Sequence, residues 1–258
     1  MNDYENPLID MTYKNRNSRS KRKVLFIVAT CLRDEGNAGN IQDFPYGVLS
    51  IIKYNEGFAD FEILDLLVNP KSLGKCLEDL ISKLQNFSPD IIGISVMFDN
   101  AYFSIWPIAE TIKAWNLKSF IIIGGPAVSP IARMVITNQP NVDAVCYSEG
   151  EIPVNDLIRA SNLSLLVSKH PSWISRNDID TDKAPDKTLV NDINQVIDVS
   201  YVYVNVNNYE RRVSFNPLDD RFLDKLVLFR LLHQEDAHSS AHFVGTLEKM
   251  IGLCVMQM

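Results

Sequence analysis

The chain has 258 residues, of which 46% are hydrophobic and 22% are charged, a composition typical of a globular protein with one sizeable core and an extension. Its formal net charge of -7 argues against a general nucleic-acid or anionic-membrane binder, because either would need a positive field. The four cysteines match neither a disulfide framework nor a CxxC metal clip, and no apolar run approaches the ~18 residues that span a bilayer. We therefore expect a soluble, cytoplasmic protein with no nucleic-acid or membrane partner.

Residues 1–22 contain most of a basic run and are predicted to form a flexible tail. From residue 23 to residue 162, short β-branched runs alternate with longer helical patterns, which predicts parallel βαβ units with helices on both faces of a sheet. The predicted strands are nearly continuous in apolar residues, as a sheet covered on both faces requires. They are KVLFIVAT (23–30), DFEILDL (60–66), DIIGISV (90–96), SFIIIG (119–124) and VDAVCY (142–147).

The helices between these strands are predicted from apolar spacing. The clearest runs from Leu73 to Phe87, where apolar residues recur on one face, and Pro89 prevents its continuation. The first helix is expected to open at Pro45, a favoured first-turn residue. The others are expected around residues 105–112, within residues 127–138 and after residue 151.

After residue 162 the alternation stops. Residues 163–218 are predicted to form a linker with short strands, one at Trp173–Ser175 and an edge strand in the valine and tyrosine alternation VSYVYVNVNNYERRVSF (199–215). Residues 219–258 are expected to be a helical or poorly ordered tail. The domain in residues 23–162 is thus followed by an irregular C-terminal extension.

Ligands of open parallel α/β sheets bind outside the carboxyl ends of the strands. Gly124 and Gly125 follow the fourth strand and either admit a bulky ligand or serve only a tight turn. Ser95 ends the third strand, where its hydroxyl either donates to a ligand or satisfies a backbone group. After the fifth strand, Glu149 and Glu151 stand at a helix start, where capping is at least as well supported as catalysis.

Other sites receive little support. The glycines after the first strand fit neither dinucleotide nor P-loop spacing, although Asp65 at the end of the second strand is placed as a ribose-binding acid would be. All four histidines lie outside the five-strand unit, at His170, His233, His238 and His242, so no imidazole is available there for acid-base chemistry or metal binding. We therefore predict no catalytic residue and no metal ligand from the chain itself.

Five motifs in order carry a resemblance to a known family. They are FPYGVLSII, FEILDL, SPDIIGISVMFDN, IIIGGPAVSP and VDAVCYSEGE. Together they resemble the N-terminal cobalamin-binding domain of cobalamin-dependent radical SAM enzymes over residues 22–162. The resemblance implies a flavodoxin-like, Rossmann-like α/β/α fold with a five-stranded parallel sheet in the order 2-1-3-4-5. It also implies that a corrinoid lies over the carboxyl edge, with its nucleotide tail in a slot beside the sheet.

The resemblance also implies particular site residues. The loop from Arg33 to Asp43 would lie under the corrin face, and in methionine-synthase-like domains that loop supplies a cobalt-binding histidine. No histidine precedes His170 here, so the implied binding is base-off, without a protein histidine on cobalt. The residues implied to surround the cofactor are Ser95, Met97, Phe98, Asp99, Asn100, Gly124, Gly125, Pro126, Glu149 and Gly150.

One family feature is missing downstream. The relatives, radical SAM methyltransferases or cyclases, hold an iron-sulfur cluster on a CxxxCxxC motif, and this sequence has none. We therefore expect no iron-sulfur cluster in this chain and no radical catalysis by it alone. It would be a stand-alone module, a truncated relative, or one half of a split enzyme whose partner is a separate radical SAM or methyltransferase protein. Two alternatives stay open: an interaction scaffold that no longer binds a cofactor, and an enzyme that binds a flavin or nucleotide at the same strand edge.

Overall fold

The structure is a computed structural model that describes residues 21–30, 44–68 and 72–209. The predictions for residues 1–20 of the basic tail, for the whole Arg33–Asp43 loop and for residues 219–258 lie outside those ranges. The strands are β1 Arg22–Val28, β2 Ala59–Asp65, β3 Ile91–Ser95, β4 Phe120–Gly124, β5 Ala144–Cys146 and β6 Trp173–Ser175. The α-helices are α1 Tyr46–Tyr54, α2 Leu73–Phe87, α3 Ile105–Trp115, α4 Ala132–Asn138, α5 Glu151–Arg159 and α6 Leu163–Lys169.

The strands of the described ranges form one sheet in the order β2-β1-β3-β4-β5-β6. The first five pair in parallel, which confirms the predicted α/β class and the strand order 2-1-3-4-5. The sheet differs from the expectation by a sixth strand, because β6 pairs antiparallel with β5 through Val145 and Ile174. Three residues are too few to show a period, so the sequence could suggest this strand but not its place in the sheet.

Each face of the sheet carries its own apolar core. In β3, Ile92 and Ile94 point toward α2, α3 and α4, whereas Ile91 points toward α1, α5 and α6. This alternation follows from the period of two in a strand, and both faces are apolar because helices cover both. The near-continuous apolar character read from the sequence therefore has the predicted cause.

Helices α1 and α5 are joined by buried amides as well as by apolar contacts. The Asn55 side chain is fully buried, and its Nδ2 donates to the carbonyl oxygens of Ile51 (2.8 Å) and Glu151 (3.1 Å). The Nδ2 of Asn155 in turn donates to Oδ1 of Asn55 at 2.9 Å. Because each of these bonds has a defined geometry, the two helices hold one register over the sheet.

The edge strand predicted in residues 199–215 is wrong for the part that the structure describes. Residues Tyr201–Tyr203 and Val206–Tyr209 form 3-10 turns instead. The Tyr209 ring packs at 5.0 Å from the ring of Phe44, and its hydroxyl donates to Oδ2 of Asp65 at 2.5 Å. Tyrosines of this segment thus pack in an aromatic cluster beside the end of β2. Alternation of apolar and polar residues fits such a cluster as well as it fits a strand, so the sequence could not distinguish them.

None of the described helices has the length and apolar character needed to cross a membrane.

The contact between Tyr209 and Asp65 gives a pH-dependent stability prediction. Burial raises the pKa of Asp65, and the hydrogen bond from Tyr209 opposes that rise. A carboxyl with a raised folded-state pKa contributes stability that is present at low pH and is lost as the pH rises through that pKa. Tyr209→Phe should raise the pKa of Asp65 further, and so lower the free energy of unfolding by about 1–3 kcal/mol near pH 7 and by less near pH 4.

Urea unfolding at both pH values measures this difference. Tyr203→Phe is the matched control, because the half-buried Tyr203 donates no hydrogen bond of this kind. We expect that control to change stability by less than about 0.5 kcal/mol. An equal loss for the two variants, or a Tyr209→Phe loss that does not shrink at low pH, contradicts the prediction.

Candidate functional site

The carboxyl ends of the central strands lie in register and carry small residues. Val28 of β1 pairs with Ser95 of β3, and Ser95 pairs with Gly124 of β4. A Cβ atom built on Gly124 would lie 3.5 Å from the Cβ of Cys146 at the end of β5. By the alternation along each strand, these positions face α1 and α5. The sheet edge therefore offers a row of small side chains under those two helices.

Ser95 has an unused hydroxyl at this edge. Its carbonyl oxygen accepts a hydrogen bond from the backbone N–H of Ala29 at 2.9 Å. Its side chain is half-buried and forms no hydrogen bond with any residue in the described ranges. Of the two readings left open by the sequence, satisfaction of a backbone group is therefore not observed.

The two glycines after β4 have different reasons to be glycine. Gly125 has a φ of +116°, and a Cβ on it would lie 2.4 Å from the carbonyl oxygen of Val96. A Cβ on Gly124 would meet nothing closer than the ordinary 3.5 Å contact with Cys146. Gly125 is thus required by the backbone itself, whereas packing does not require Gly124. The missing side chain of Gly124 leaves room at the edge beside Ser95.

The requirement for glycine at position 125 can be measured as stability. Gly125→Ala should lower the free energy of unfolding by about 2 kcal/mol or more, because it combines a disfavoured φ with a backbone clash. The control is Gly74→Ala within α2, where a Cβ would meet no atom within 4 Å, and we expect it to be neutral or stabilising by up to about 1 kcal/mol. Urea unfolding followed by circular dichroism compares them. A Gly125→Ala variant as stable as the parent would contradict the assignment.

Of the other site residues expected after β3 and β4, some are half-buried against the core and some are exposed. Met97 and Phe98 are half-buried and pack against the core beneath α1 and α5. Asp99 and Asn100 are exposed at the start of a 3-10 turn, and Pro126 is also exposed. Of these five residues, only Met97 and Phe98 can therefore enclose a buried group.

The SEGE segment (148–151) separates its two glutamates. Glu149 is exposed, whereas Glu151 is only 8% exposed. Gly150 is the N-cap residue of α5, and a Cβ on it would lie 2.4 Å from Cδ1 of Ile51 in α1. Glu151 makes no capping hydrogen bond; its Oε1 accepts one from the Ser50 hydroxyl at 2.5 Å.

Sequence reasoning took Glu149 as the rim residue and missed the buried position of Glu151. A signal was present, because Glu151 lies three residues before Val154 and four before Asn155 on the buried face of α5. A carboxylate on the buried face of a helix is unusual and needs partners. The sequence could not show which atoms those partners would be.

The family of the chain follows from comparison with known proteins. The family model described as B12 binding domain matches residues 25–158, just over half of the chain. The chain belongs to the B12-binding domain family. This finding confirms the resemblance to a cobalamin-binding domain drawn from the five motifs.

Curated relatives of this B12-binding domain match over less than half of the chain. An uncharacterized methyltransferase of Pyrococcus horikoshii is 27% identical over 116 residues, which is 45% of this chain and 24% of that protein. The 4'-phospho-dehydrooxetanocin synthase of Priestia megaterium is 30% identical over 131 residues, 46% of this chain and 16% of that protein. The cytidylyl-2-hydroxyethylphosphonate methyltransferase of Streptomyces wedmorensis is 24% identical over 115 residues, with 45% and 21% covered. The chain thus matches less than a quarter of each relative's length.

The electrostatics of this B12-binding domain make Cys146, at the end of β5, a poor nucleophile. The pKa of the Cys146 thiol is raised to about 12, mainly by burial; a backbone hydrogen bond at Ser148 opposes the rise, and the negative charge of Glu151 contributes to it. The thiol is therefore protonated at neutral pH and does not serve as a thiolate. Cys146 acts as a small apolar wall beside Gly124.

Asp65, which is placed as a ribose-binding acid would be, already accepts hydrogen bonds from within the chain. Asp65 accepts hydrogen bonds from the backbone N–H of Leu67 (2.8 Å) and from the Tyr209 hydroxyl (2.5 Å). A nucleotide at this carboxylate would have to displace Tyr209 from its contacts. The arrangement therefore disfavours nucleotide binding at the end of β2.

The one histidine in the described ranges is also engaged at both ring nitrogens. His170 is buried, with Nε2 at 3.1 Å from Oδ2 of Asp156 and Nδ1 accepting from the backbone N–H of Ser172 at 3.1 Å. Among the described residues, no group of three or more histidine, cysteine, aspartate and glutamate side chains is arranged to hold a metal ion.

A corrinoid with a nucleotide tail fits the residues that are present. We call the space left by the missing side chain of Gly124 the cradle. It would accept a flat group, and Ser95 supplies a hydrogen-bond donor beside it. Met97 and Phe98 add apolar surface on the same side. These are the features that a mostly apolar pocket with a few polar groups requires.

Proposed function

We propose that this chain is a corrinoid-holding module that binds cobalamin at the carboxyl edge of β1, β3 and β4. The nucleotide tail would enter beside Ser95 and Gly124, on the face that α1 and α5 cover. The observation that carries the proposal is the cradle at Gly124, because no packing contact explains the absence of a side chain there.

The residues around this edge would act in three ways. Gly124 admits a flat group close to the backbone, and the Ser95 hydroxyl donates to it. Met97 and Phe98 exclude water from one side. The positions proposed for the rim are Asp99, Asn100, Gly125, Pro126, Glu149 and Gly150, with Gly125 acting only through the backbone direction that it permits.

We further propose that the cofactor binds base-off and without a histidine of this domain on cobalt. The support is that His170 is buried and already holds Asp156 and Ser172. Using it as a ligand would break at least one of these contacts; coordination through Nε2 would leave the half-buried Asp156 carboxylate with one partner fewer.

The proposed reaction context is methyl transfer or a related reaction of the radical SAM class. When bound, the corrinoid supplies a cobalt centre that can carry a one-carbon group. Two of the three relatives are methyltransferases by name, and the Cys146 thiol at the end of β5 is not a thiolate at neutral pH. The catalytic unit would therefore lie outside residues 25–158 or in a partner protein.

Cobalamin retention tests the proposal directly. The full chain is mixed with hydroxocobalamin, free ligand is removed, and the visible spectrum of the protein is recorded. Gly124→Val should weaken binding at least about tenfold, because its side chain occupies the cradle, while urea unfolding shows that the variant is folded. Gly74→Ala lies in α2, on the opposite face of the sheet from α1 and α5, and should bind like the parent.

Two results would count against the proposal. A parent chain that retains no corrinoid at micromolar concentration favours the interaction scaffold instead. A folded Gly124→Val variant that binds as tightly as the parent removes Gly124 from the site.

The axial ligand has its own test. Bound cobalamin is reduced to its Co(II) form in protein grown with ¹⁴N-histidine and with ¹⁵N-histidine, and the two EPR spectra are compared. We expect identical spectra, because no histidine of the chain would coordinate cobalt. A nitrogen splitting that changes with the histidine isotope would show that one does.

A further inference from the structure

The carboxylate of Glu151 is only half satisfied. Its Oε1 accepts the hydrogen bond from Ser50, but its Oε2 is buried and has no hydrogen-bond partner among the described residues. The residue is 8% exposed, so water cannot solvate that oxygen freely. Buried polar atoms almost always have partners, and an orphaned one costs free energy unless a partner arrives with a ligand.

The usual structural roles do not account for this carboxylate. The first turn of α5 receives no side-chain cap from it. No ion pair joins it to a cation within the described part of the chain, although Lys side chains elsewhere form several. The bond to Ser50 joins α5 to α1, but it uses only one of the two oxygens, and the Asn55 amide already joins the same helices.

The end of β5 links the carboxylate to the edge where Gly124 lies. The Sγ of Cys146 donates to the carbonyl oxygen of Ser148 at 3.4 Å, and α5 begins three residues later at Glu151. The charge of Glu151 contributes to the raised pKa of the Cys146 thiol, and Cys146 is the residue nearest to the position where Gly124 would carry a Cβ. It also contributes to the raised pKa of Tyr54 in α1. Glu151 therefore lies between α1, α5 and the end of β5, on the face of the sheet where the tail would enter.

The chemistry of a carboxylate limits which groups of a ligand it can bind. Its oxygens accept hydrogen bonds, and a negative charge repels a phosphate. A nucleotide tail carries both an anionic phosphodiester and neutral ribose hydroxyls. Only the hydroxyls suit an orphaned carboxylate oxygen.

We propose that Glu151 is a specificity-determining residue whose Oε2 accepts a hydrogen bond from a ribose hydroxyl of the corrinoid's nucleotide tail. The inference rests on the proposed function, because it assigns a residue to the same site. Glu151 thereby distinguishes complete cobalamin from corrinoids that lack the tail. Ser50 is a positioning residue that holds the other oxygen.

The test measures binding of two ligands by the full chain. The probes are hydroxocobalamin and cobinamide, which has the corrin ring but no nucleotide tail. The parent should prefer cobalamin at least tenfold. Glu151→Met removes both acceptor oxygens at similar volume and should reduce that preference at least tenfold, with cobinamide affinity unchanged.

Two further variants separate a ligand contact from a structural role. Glu110→Met changes an exposed glutamate in α3, on the opposite face of the sheet from α1 and α5, and should leave both affinities unchanged. Glu151→Gln keeps an acceptor for Ser50 and offers an amide that can still bond a hydroxyl, so it should recover part of the preference. It also provides a folded comparison if Glu151→Met proves too unstable by urea unfolding.

The outcomes distinguish this inference from the proposed function. If the parent binds neither ligand, the proposed function fails. If the parent binds both equally, or if Glu151→Met and Glu151→Gln keep the full preference, cobalamin binding stands and the role of Glu151 is overturned. An equal loss for both ligands shows that Glu151 only supports the fold, and also overturns it.

Discussion

The close approach of β4 to β3 at their carboxyl ends is the constraint on which the rest of the edge depends. The backbone N–H of Val96 donates to the carbonyl of Gly124 at 2.9 Å, and Gly125 then passes so near Val96 that no side chain is tolerated there. This contact holds Ser95 and Gly124 side by side and turns the chain toward α4. A site built on small side chains needs such precision, because its walls are backbone atoms.

The second requirement is a fixed cover over that edge. Helices α1 and α5 meet through Asn55, Asn155 and the backbone of Glu151, with an apolar core below them. Amide hydrogen bonds specify one register, whereas apolar packing alone tolerates several. The same interface contains the half-satisfied carboxylate of Glu151, so the contacts that order the helices also bury a polar group at the start of α5.

The chain itself divides the strand edge into two parts. The end of β2 is taken by Tyr209, which bonds Asp65 and packs on Phe44. At the end of β3, the Ser95 hydroxyl has no hydrogen-bond partner among the described residues. In dinucleotide-binding folds an acid at the end of β2 holds ribose, so this occupation separates the domain from that class while leaving the central strands for another ligand.

Much of the fold follows from local pattern, and the site follows from it only in part. Five apolar runs and the periodicity from Leu73 to Phe87 determined the strands and the clearest helix, because period and continuity report burial directly. The motif order predicted the family that the match to residues 25–158 shows. The three-residue strand at Trp173–Ser175 could be suggested but not paired, since pairing joins residues far apart in sequence.

The roles of neighbouring residues were decided only by tertiary structure. Gly124 and Gly125 are identical in sequence terms, yet only one approaches Val96 and only the other leaves a cradle. Glu149 and Glu151 both flank a glycine, yet α1 buries only the second. The sequence by itself determined which segments are buried and which ends of strands meet, because those depend on local periodicity. Which side chain at each end faces open space depends on backbone atoms from another strand or helix, and only the folded chain brings those atoms together.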